Sequence, residues 1–62
     1  MRHIDNKTLK DRLLDAEIRA GKWLADGNLW SEKGNKIKAD RCYELSQYWL
    51  DRANRYVELF FR

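Results

Sequence analysis

Apolar and small residues recur along this chain at alternating intervals of four and three residues, the spacing of a helix that packs lengthwise on another helix. The first half has them at 9, 13, 16, 20, 23, 27, 30 and 34, and the second half at 39, 42, 46, 49, 53, 56 and 60. Between the two series, Gly34 suits the left-handed position that follows a helix, and Asn35 suits the N-cap of the next one. The pattern predicts one helix at about 8–33, a turn at 34–35 and a second helix at about 36–61.

A turn of one or two residues places the two predicted helices side by side in opposite directions. The absence of proline from the sequence favours helix throughout. Thr8 and Asp11 have the spacing of a capping box at the start of the first helix, although Asp5 or Asn6 would also serve as the cap. We therefore expect an all-α fold in which residues 1–62 form a single domain, an antiparallel two-helix hairpin.

Small residues follow one another every seven positions on each predicted helix. The rows consist of Ala20, Gly27 and Gly34 on the first helix and of Ala39, Ser46 and Ala53 on the second. Rows of this kind let two helix backbones approach closely, and large side chains then fill the space beside the narrow contact. Because glycine in mid-helix costs about 1 kcal/mol relative to alanine, we expect Gly27 to have a packing role. The predicted core seam consists of Trp23, Gly27, Trp30, Ala39, Tyr43 and Trp49.

The stretch from Trp23 to Trp30, WLADGNLW, resembles the first part of the tetratricopeptide repeat, which has Trp, Leu-Gly and Tyr at the same spacing. Ala39 and Tyr43 match the alanine and phenylalanine that follow in that repeat. The resemblance covers residues 23–51. It departs from the repeat at Asp26, in the absence of a proline after the second helix, and in the greater length of both helices. It implies a protein-binding scaffold that needs neighbouring units to bury its core.

Each predicted helix carries more apolar residues than one antiparallel neighbour can cover. The surplus positions are Leu14 and Ile18 on the first helix and Leu45 and Leu59 on the second. A second copy of the chain is the simplest molecule that could bury these apolar residues, since two-fold homodimers are the commonest assembly. We therefore expect a homodimer that forms a four-helix bundle, with these residues at the dimer or partner interface. A different protein would cover the same residues, and the two alternatives are compatible.

The second helix also has an ordered polar-aromatic face, which consists of Arg41, Tyr48, Arg52, Arg55 and Arg62. Arginines interleaved with tyrosine suit phosphates and bases, so this face makes nucleic-acid binding the alternative function. A row of acidic residues, Glu44, Asp51 and Glu58, lies beside it and repels phosphate. The spacing of Asp51–Arg55 and Glu58–Arg62 also predicts ordinary ion pairs along the helix.

The composition and the motifs give no support to catalysis. The 62 residues carry a net charge of +3 and contain one cysteine and one histidine. Cys42 has no partner for an internal disulfide and is expected to be a small core residue. Met1-Arg2-His3 has the spacing of an amino-terminal Cu(II) or Ni(II) site, but any chain with histidine in third place shares it. Without a glycine-rich phosphate loop, a metal-ligand cluster or a catalytic triad, we expect no enzyme activity, no cofactor and no metal.

The expected function is that of a small, non-enzymatic protein-interaction module, which acts as an adaptor, regulator or inhibitor of a partner protein. The alternatives are a nucleic-acid-associated regulator, built as a dimeric helical hairpin, and a structural subunit of a larger assembly. The charged N-terminal stretch and the lack of an apolar run of about 18 residues predict a cytoplasmic protein with no membrane segment.

Overall fold

Two α-helices account for most of residues 8–61, the part of the chain that the computed structural model describes. Helix α1 spans Leu9–Glu32 and helix α2 spans Lys36–Phe60, and the two helices pack against each other. The described residues contain no β-strand, so the all-helical expectation is confirmed. The predicted limits differ from the observed ones by one residue, at both ends of α1 and at the end of α2.

Helix α1 begins with the predicted capping box. The Thr8 hydroxyl accepts a hydrogen bond from the Asp11 N–H at 3.1 Å, and the Asp11 carboxylate accepts one from the Thr8 N–H at 3.3 Å. These bonds satisfy amides that have no partner within the first helical turn. Thr8 is therefore the N-cap, and the alternative caps, Asp5 and Asn6, lie outside the described residues.

The turn between the helices has the hydrogen bonds of a Schellman motif. Gly34 has a φ of 83°, in the left-handed region that favours glycine. Its N–H donates to the Ser31 carbonyl at 3.0 Å, and the Asn35 N–H donates to the Trp30 carbonyl at 2.9 Å. The Asn35 side chain then accepts a hydrogen bond from the Lys38 N–H at 3.0 Å and caps α2. One glycine and one asparagine thus reverse the chain, as the sequence predicts.

Only small residues are buried where α1 and α2 meet. Within the described part of the chain they are Ala16, Ala20 and Gly27 on α1, and Ala39, Cys42, Ser46 and Ala53 on α2. The Ser46 hydroxyl donates a hydrogen bond across this seam to the Ala20 carbonyl at 2.9 Å. No large side chain of residues 8–61 is fully buried. The seam is therefore narrow, and the large apolar side chains lie beside it.

Gly27 lets the ring of Tyr43 lie directly against the backbone of α1. A Cβ atom at Gly27 would come within 2.6 Å of Cε1 and 2.7 Å of Cδ1 of Tyr43, closer than carbon atoms approach in folded proteins. The Tyr43 hydroxyl donates a hydrogen bond to Oδ1 of Asn28 at 2.8 Å, which holds the ring in this place. The remaining large residues of the predicted seam are half-buried along its border: Trp23, Trp30 and Trp49.

Candidate interaction surfaces

The hairpin is a single layer of two helices, so it has two broad faces, one on each side of the seam. Contacts across the seam show which residues share a face. Arg19 of α1 lies over the Trp49 ring of α2, and Lys38 of α2 lies over the Trp30 ring of α1, at 4.9 and 4.3 Å from the ring centroids. Together with their neighbours at helical spacing, these residues form the aromatic face: Arg19, Trp23, Trp30 and Lys33 of α1, and Lys38, Leu45, Trp49, Arg52 and Tyr56 of α2.

The opposite side of the hairpin is the aliphatic face. The hydrogen bond from Tyr43 to Asn28 crosses the seam on this side. Neighbours at helical spacing complete the face: Leu13, Leu24 and Asn28 of α1, and Tyr43, Leu50, Asn54 and Val57 of α2. Leu24 and Leu50 are 47% and 41% exposed, so a substantial part of this apolar surface is not covered by the hairpin itself.

Near the turn, the aromatic face holds two lysines against one indole ring. The Nζ atoms of Lys33 and Lys38 lie 5.2 and 4.3 Å from the centroid of the Trp30 ring. A cation at such a distance is attracted by the ring electrons, by about 0.5–1 kcal/mol at an exposed site. Trp30 therefore keeps two positive charges close to the surface of the hairpin.

Further from the turn, two arginines share the ring of Trp49. The guanidinium carbons of Arg19 and Arg52 lie 4.9 and 5.8 Å from the ring centroid. Arg19 belongs to α1 and also forms an ion pair with Asp15 at 3.0 Å, one turn earlier on the same helix. The rings of Trp49 and Tyr48 are nearly perpendicular to each other, with their centroids 5.3 Å apart. This second cluster thus joins the two helices across the aromatic face.

Arg52 is held by tyrosines. Its Nη2 donates a hydrogen bond to the Tyr56 hydroxyl at 2.9 Å, and its Nη1 donates one to the Tyr48 hydroxyl at 3.4 Å. The hydrogen bond to Tyr56 raises the pKa of Arg52 above its usual value, and the coulombic interaction with Tyr56 and the hydrogen bond to Tyr48 act in the same direction. Arginine is charged at any physiological pH, and here two hydroxyls fix the position of the guanidinium.

The structure brings together only part of the predicted polar-aromatic face. Tyr48 and Arg52 are in contact, and Arg55 is exposed beside them, along the same depression as Tyr56. Arg41 lies about 16 Å from Arg52 along the axis of α2, at about 1.5 Å per residue. Arg62, the remaining member of the predicted set, lies outside the described residues.

The predicted ion pair between Asp51 and Arg55 does not form. Asp51 instead accepts a hydrogen bond from Nε2 of Gln47 at 3.1 Å. Gln47 lies one helical turn before Asp51, whereas Arg55 lies one turn after it. The predicted partner of Glu58, Arg62, lies outside the described residues. Ion pairs one helical turn apart do form elsewhere in the hairpin, between Arg19 and Asp15 at 3.0 Å and between Lys36 and Asp40 at 3.3 Å.

The four residues predicted at the dimer or partner interface lie on two different surfaces. Ile18 is two residues away from each of two buried alanines, Ala16 and Ala20. Two residues correspond to a rotation of about 200° around the helix axis, so Ile18 lies on the side opposite to the alanines. Ile18 therefore faces away from α2 and is 60% exposed, and Leu14 lies one turn before it on the same outer edge. Leu45 is half-buried on the aromatic face, and Leu59 is exposed beside Arg52 at the far end of that face.

Sequence reasoning missed the contacts between the cations and the indole rings. A turn at 34–35 in an antiparallel hairpin places position 19 opposite 49 and position 30 opposite 38, so the register of the helices is the signal that would have found Arg19 and Lys38. It also missed the most exposed apolar residues, Ile37 and Phe61, at 83% and 78%. They lie at the two ends of α2, where periodicity carries least information.

The described residues include no group of three or more His, Cys, Asp or Glu side chains that is placed to hold a metal ion. Cys42 is a free thiol buried in the seam. The amino-terminal Met1-Arg2-His3 motif lies outside the described residues. Neither of the two described helices is long and apolar enough to cross a membrane.

No protein-family model, no curated protein and no solved structure matches the chain.

Proposed function

We propose that this chain is a non-enzymatic protein-interaction module, which pairs with a second copy of itself and uses the remaining surface to bind a partner protein. The observation that carries the proposal is the distribution of side-chain size. The buried seam contains small residues, whereas ten large hydrophobic residues among those described are 41% to 83% exposed. Monomeric proteins rarely expose extended apolar patches unless another molecule covers them.

The aliphatic face suits a second copy because its exposed leucines, Leu24 and Leu50, lie beside the uncharged Asn28 and Asn54 at helical spacing. Lys10 and Glu17, which carry opposite charges, border the face near its open end around Leu13. Interfaces between identical chains are apolar at the centre and depleted of charge. Two aliphatic faces packed together would form a four-helix bundle in which Leu24 and Leu50 are covered.

The aromatic face is less suited to a second copy. In a two-fold interface, each residue lies near its own counterpart or near another residue of the same patch. This face holds several cations, among them Lys38 and Arg52, and only two carboxylates, Asp15 and Asp26, line the depression beside Arg19. Its charge is therefore less suited to the centre of an interface between identical chains. Pairing through the aliphatic face leaves the aromatic face of each copy accessible. The resemblance of residues 23–51 to a tetratricopeptide repeat supports a role in protein binding for the surface that remains.

Sedimentation at micromolar concentration tests the self-association. We expect the wild-type chain to sediment as a dimer and Leu50→Glu to sediment as a monomer, because a carboxylate at the centre of an apolar interface loses its water without gaining a partner. Leu14→Glu is the matched control, since Leu14 is 56% exposed but lies on the outer edge of α1. A monomeric wild-type chain would contradict the proposal. If Leu14→Glu dissociated the dimer and Leu50→Glu did not, the interface would lie on the outer edge of α1 and not on the aliphatic face.

A further inference from the structure

We propose that the aromatic face binds an acidic segment of a partner protein, with carboxylates at two positions about 16 Å apart and one apolar side chain between them. The inference rests on the proposed function and specifies the chemistry of the partner. It is carried by the two cation-bearing indole rings, Trp30 and Trp49, which lie on the same face and mark the two positions.

Most of the cations at the two rings have no carboxylate partner within residues 8–61. Arg19 is paired with Asp15. Lys33 and Lys38 contact the Trp30 ring without forming an ion pair with a described residue, and Arg52 is bonded to the neutral hydroxyls of Tyr48 and Tyr56. The positive charge of Lys33, Lys38 and Arg52 is therefore not neutralised by a described carboxylate, and it can attract an anionic group of another molecule.

The rings hold the cations in place before a partner arrives. A long cationic side chain normally loses rotamer entropy when it binds, at about 0.5–1.5 kcal/mol for each side chain that becomes immobile. Arg52 has already lost much of this freedom, because two tyrosine hydroxyls and the Trp49 ring contact it. Beyond its two bonds to the tyrosines, the guanidinium keeps its Nε–H and one further N–H on each terminal nitrogen, which can donate to a carboxylate.

The same contacts favour a carboxylate over a nucleic-acid base. Surfaces that bind single-stranded nucleic acid present open aromatic faces on which successive bases stack. Here each indole ring already contacts two cations of the same chain, Lys33 and Lys38 at Trp30 and Arg19 and Arg52 at Trp49. A base would have to displace a cation from the ring before it could stack, whereas a carboxylate binds the cation where it is.

The spacing defines the length of the acidic segment. From Arg19 to Trp30, α1 rises by about 16 Å, which equals three turns of a partner helix or about five residues of an extended strand. Between the two clusters lie Trp23 and Leu45, both half-buried, at positions that the antiparallel register places opposite each other. An apolar residue in the middle of the segment would cover this pair, because partially buried tryptophan is a preferred anchor at protein interfaces.

Fluorescence anisotropy with a labelled helical peptide tests the proposal. The probe carries two pairs of glutamates three turns apart, with leucine midway between them on the same side. A second peptide has glutamine at every glutamate, and an oligothymidylate serves as the third probe. The protein is used as the full chain, and circular dichroism and sedimentation show that each variant keeps its helices and its oligomeric state.

We expect the acidic peptide to bind the wild-type chain and the glutamine peptide to bind at least ~10-fold more weakly, which is about 1.4 kcal/mol. The double variant Lys38→Gln with Arg52→Gln should weaken binding of the acidic peptide by at least ~10-fold. The matched control, Lys10→Gln with Lys36→Gln, changes the net charge equally but removes cations that lie off the aromatic face, and it should leave the affinity within ~2-fold.

Three results would overturn the proposal. Equal affinity for the acidic and glutamine peptides would show that the face does not recognise carboxylates. Equal losses in the two double variants would show that net charge alone attracts the peptide. Tighter binding of the oligothymidylate, with a steep dependence on salt, would assign the face to nucleic acid and would also refute the protein-partner half of the proposed function. Loss of peptide recognition in a chain that still sediments as a dimer would leave the self-association standing.

Discussion

Replacing Gly27 with alanine tests the close contact between α1 and α2 directly. A methyl group at this position would lie 2.6 Å from Cε1 and 2.7 Å from Cδ1 of Tyr43. Carbon atoms in ordinary contact are about 3.5–4.0 Å apart, so the ring must move by about 1 Å or the helices must separate. The ring resists this movement because its hydroxyl is bonded to Asn28 at 2.8 Å.

Three contributions set the size of the effect of Gly27→Ala. Alanine gains about 1 kcal/mol over glycine from helix propensity. Overpacking a fitted interface costs about 1–3 kcal/mol, and losing the bond from Tyr43 to Asn28 costs about 0.5–1.5 kcal/mol. The net expectation is a free energy of unfolding lowered by about 0.5–3.5 kcal/mol. In a chain of this size each kcal/mol corresponds to a fall of about 4–8 °C in Tm.

Gly21 provides a matched control on the same helix. No atom lies within 4 Å of a Cβ placed at Gly21, so Gly21→Ala measures helix propensity without a packing penalty. It should raise the free energy of unfolding by up to about 1 kcal/mol. Urea denaturation followed by far-ultraviolet circular dichroism measures both variants, at equal protein concentration because self-association adds to apparent stability.

A second control removes the ring. In a chain that carries Tyr43→Ala, Gly27→Ala should become stabilising, because the methyl group no longer meets a neighbour and only the propensity gain is left. The reasoning would be refuted if Gly27→Ala stabilised the wild-type chain as much as Gly21→Ala does. It would also be refuted if Gly27→Ala stayed equally destabilising after the ring had been removed.

The same denaturation assay checks the turn and the seam. Gly34→Ala should lower the free energy of unfolding by about 1–2 kcal/mol, because any side chain strains a residue with a φ of 83°. The strain is in the backbone alone, since no atom lies within 4 Å of a Cβ placed at Gly34. An unchanged free energy of unfolding would mean that the turn adopts another conformation. Ser46→Ala should cost no more than about 1 kcal/mol, the worth of its bond to the Ala20 carbonyl. Ser46→Leu should cost about 1–3 kcal/mol by overpacking, and equal effects of the two changes at Ser46 would show that size does not limit the seam.

Local chemistry made the ends of the elements predictable from the sequence. Thr8 with Asp11 and Gly34 with Asn35 act through bonds to residues within five positions, so their roles do not depend on the rest of the fold. The buried positions were predictable for a related reason. Residues at strict four-three spacing lie on one side of a helix, and the neighbouring helix packs against that side. The small residues recur at this spacing on both helices.

The candidate surfaces were less predictable because they depend on how the two helices are aligned. Arg19 and Trp49 meet only through the antiparallel register, and spacing within one helix carries no sign of their contact. The expected pair of Asp51 with Arg55 failed for a different reason. Gln47, one turn earlier, offers the carboxylate an alternative donor, and an exposed ion pair is worth too little to exclude it.

The narrow seam would also link the stability of the hairpin to the association that we propose. Full burial of a leucine or phenylalanine side chain contributes about 1.5–3 kcal/mol, and an alanine contributes much less because it has little area to bury. In this hairpin the alanines are buried, whereas Leu24 and Leu50 remain 47% and 41% exposed. Much of the hydrophobic free energy available to the sequence is therefore not gained within the single hairpin, and the proposed association would supply part of it. For this reason, we expect association to stabilise the helices themselves, and a partner on either face to act on folding as well as on function.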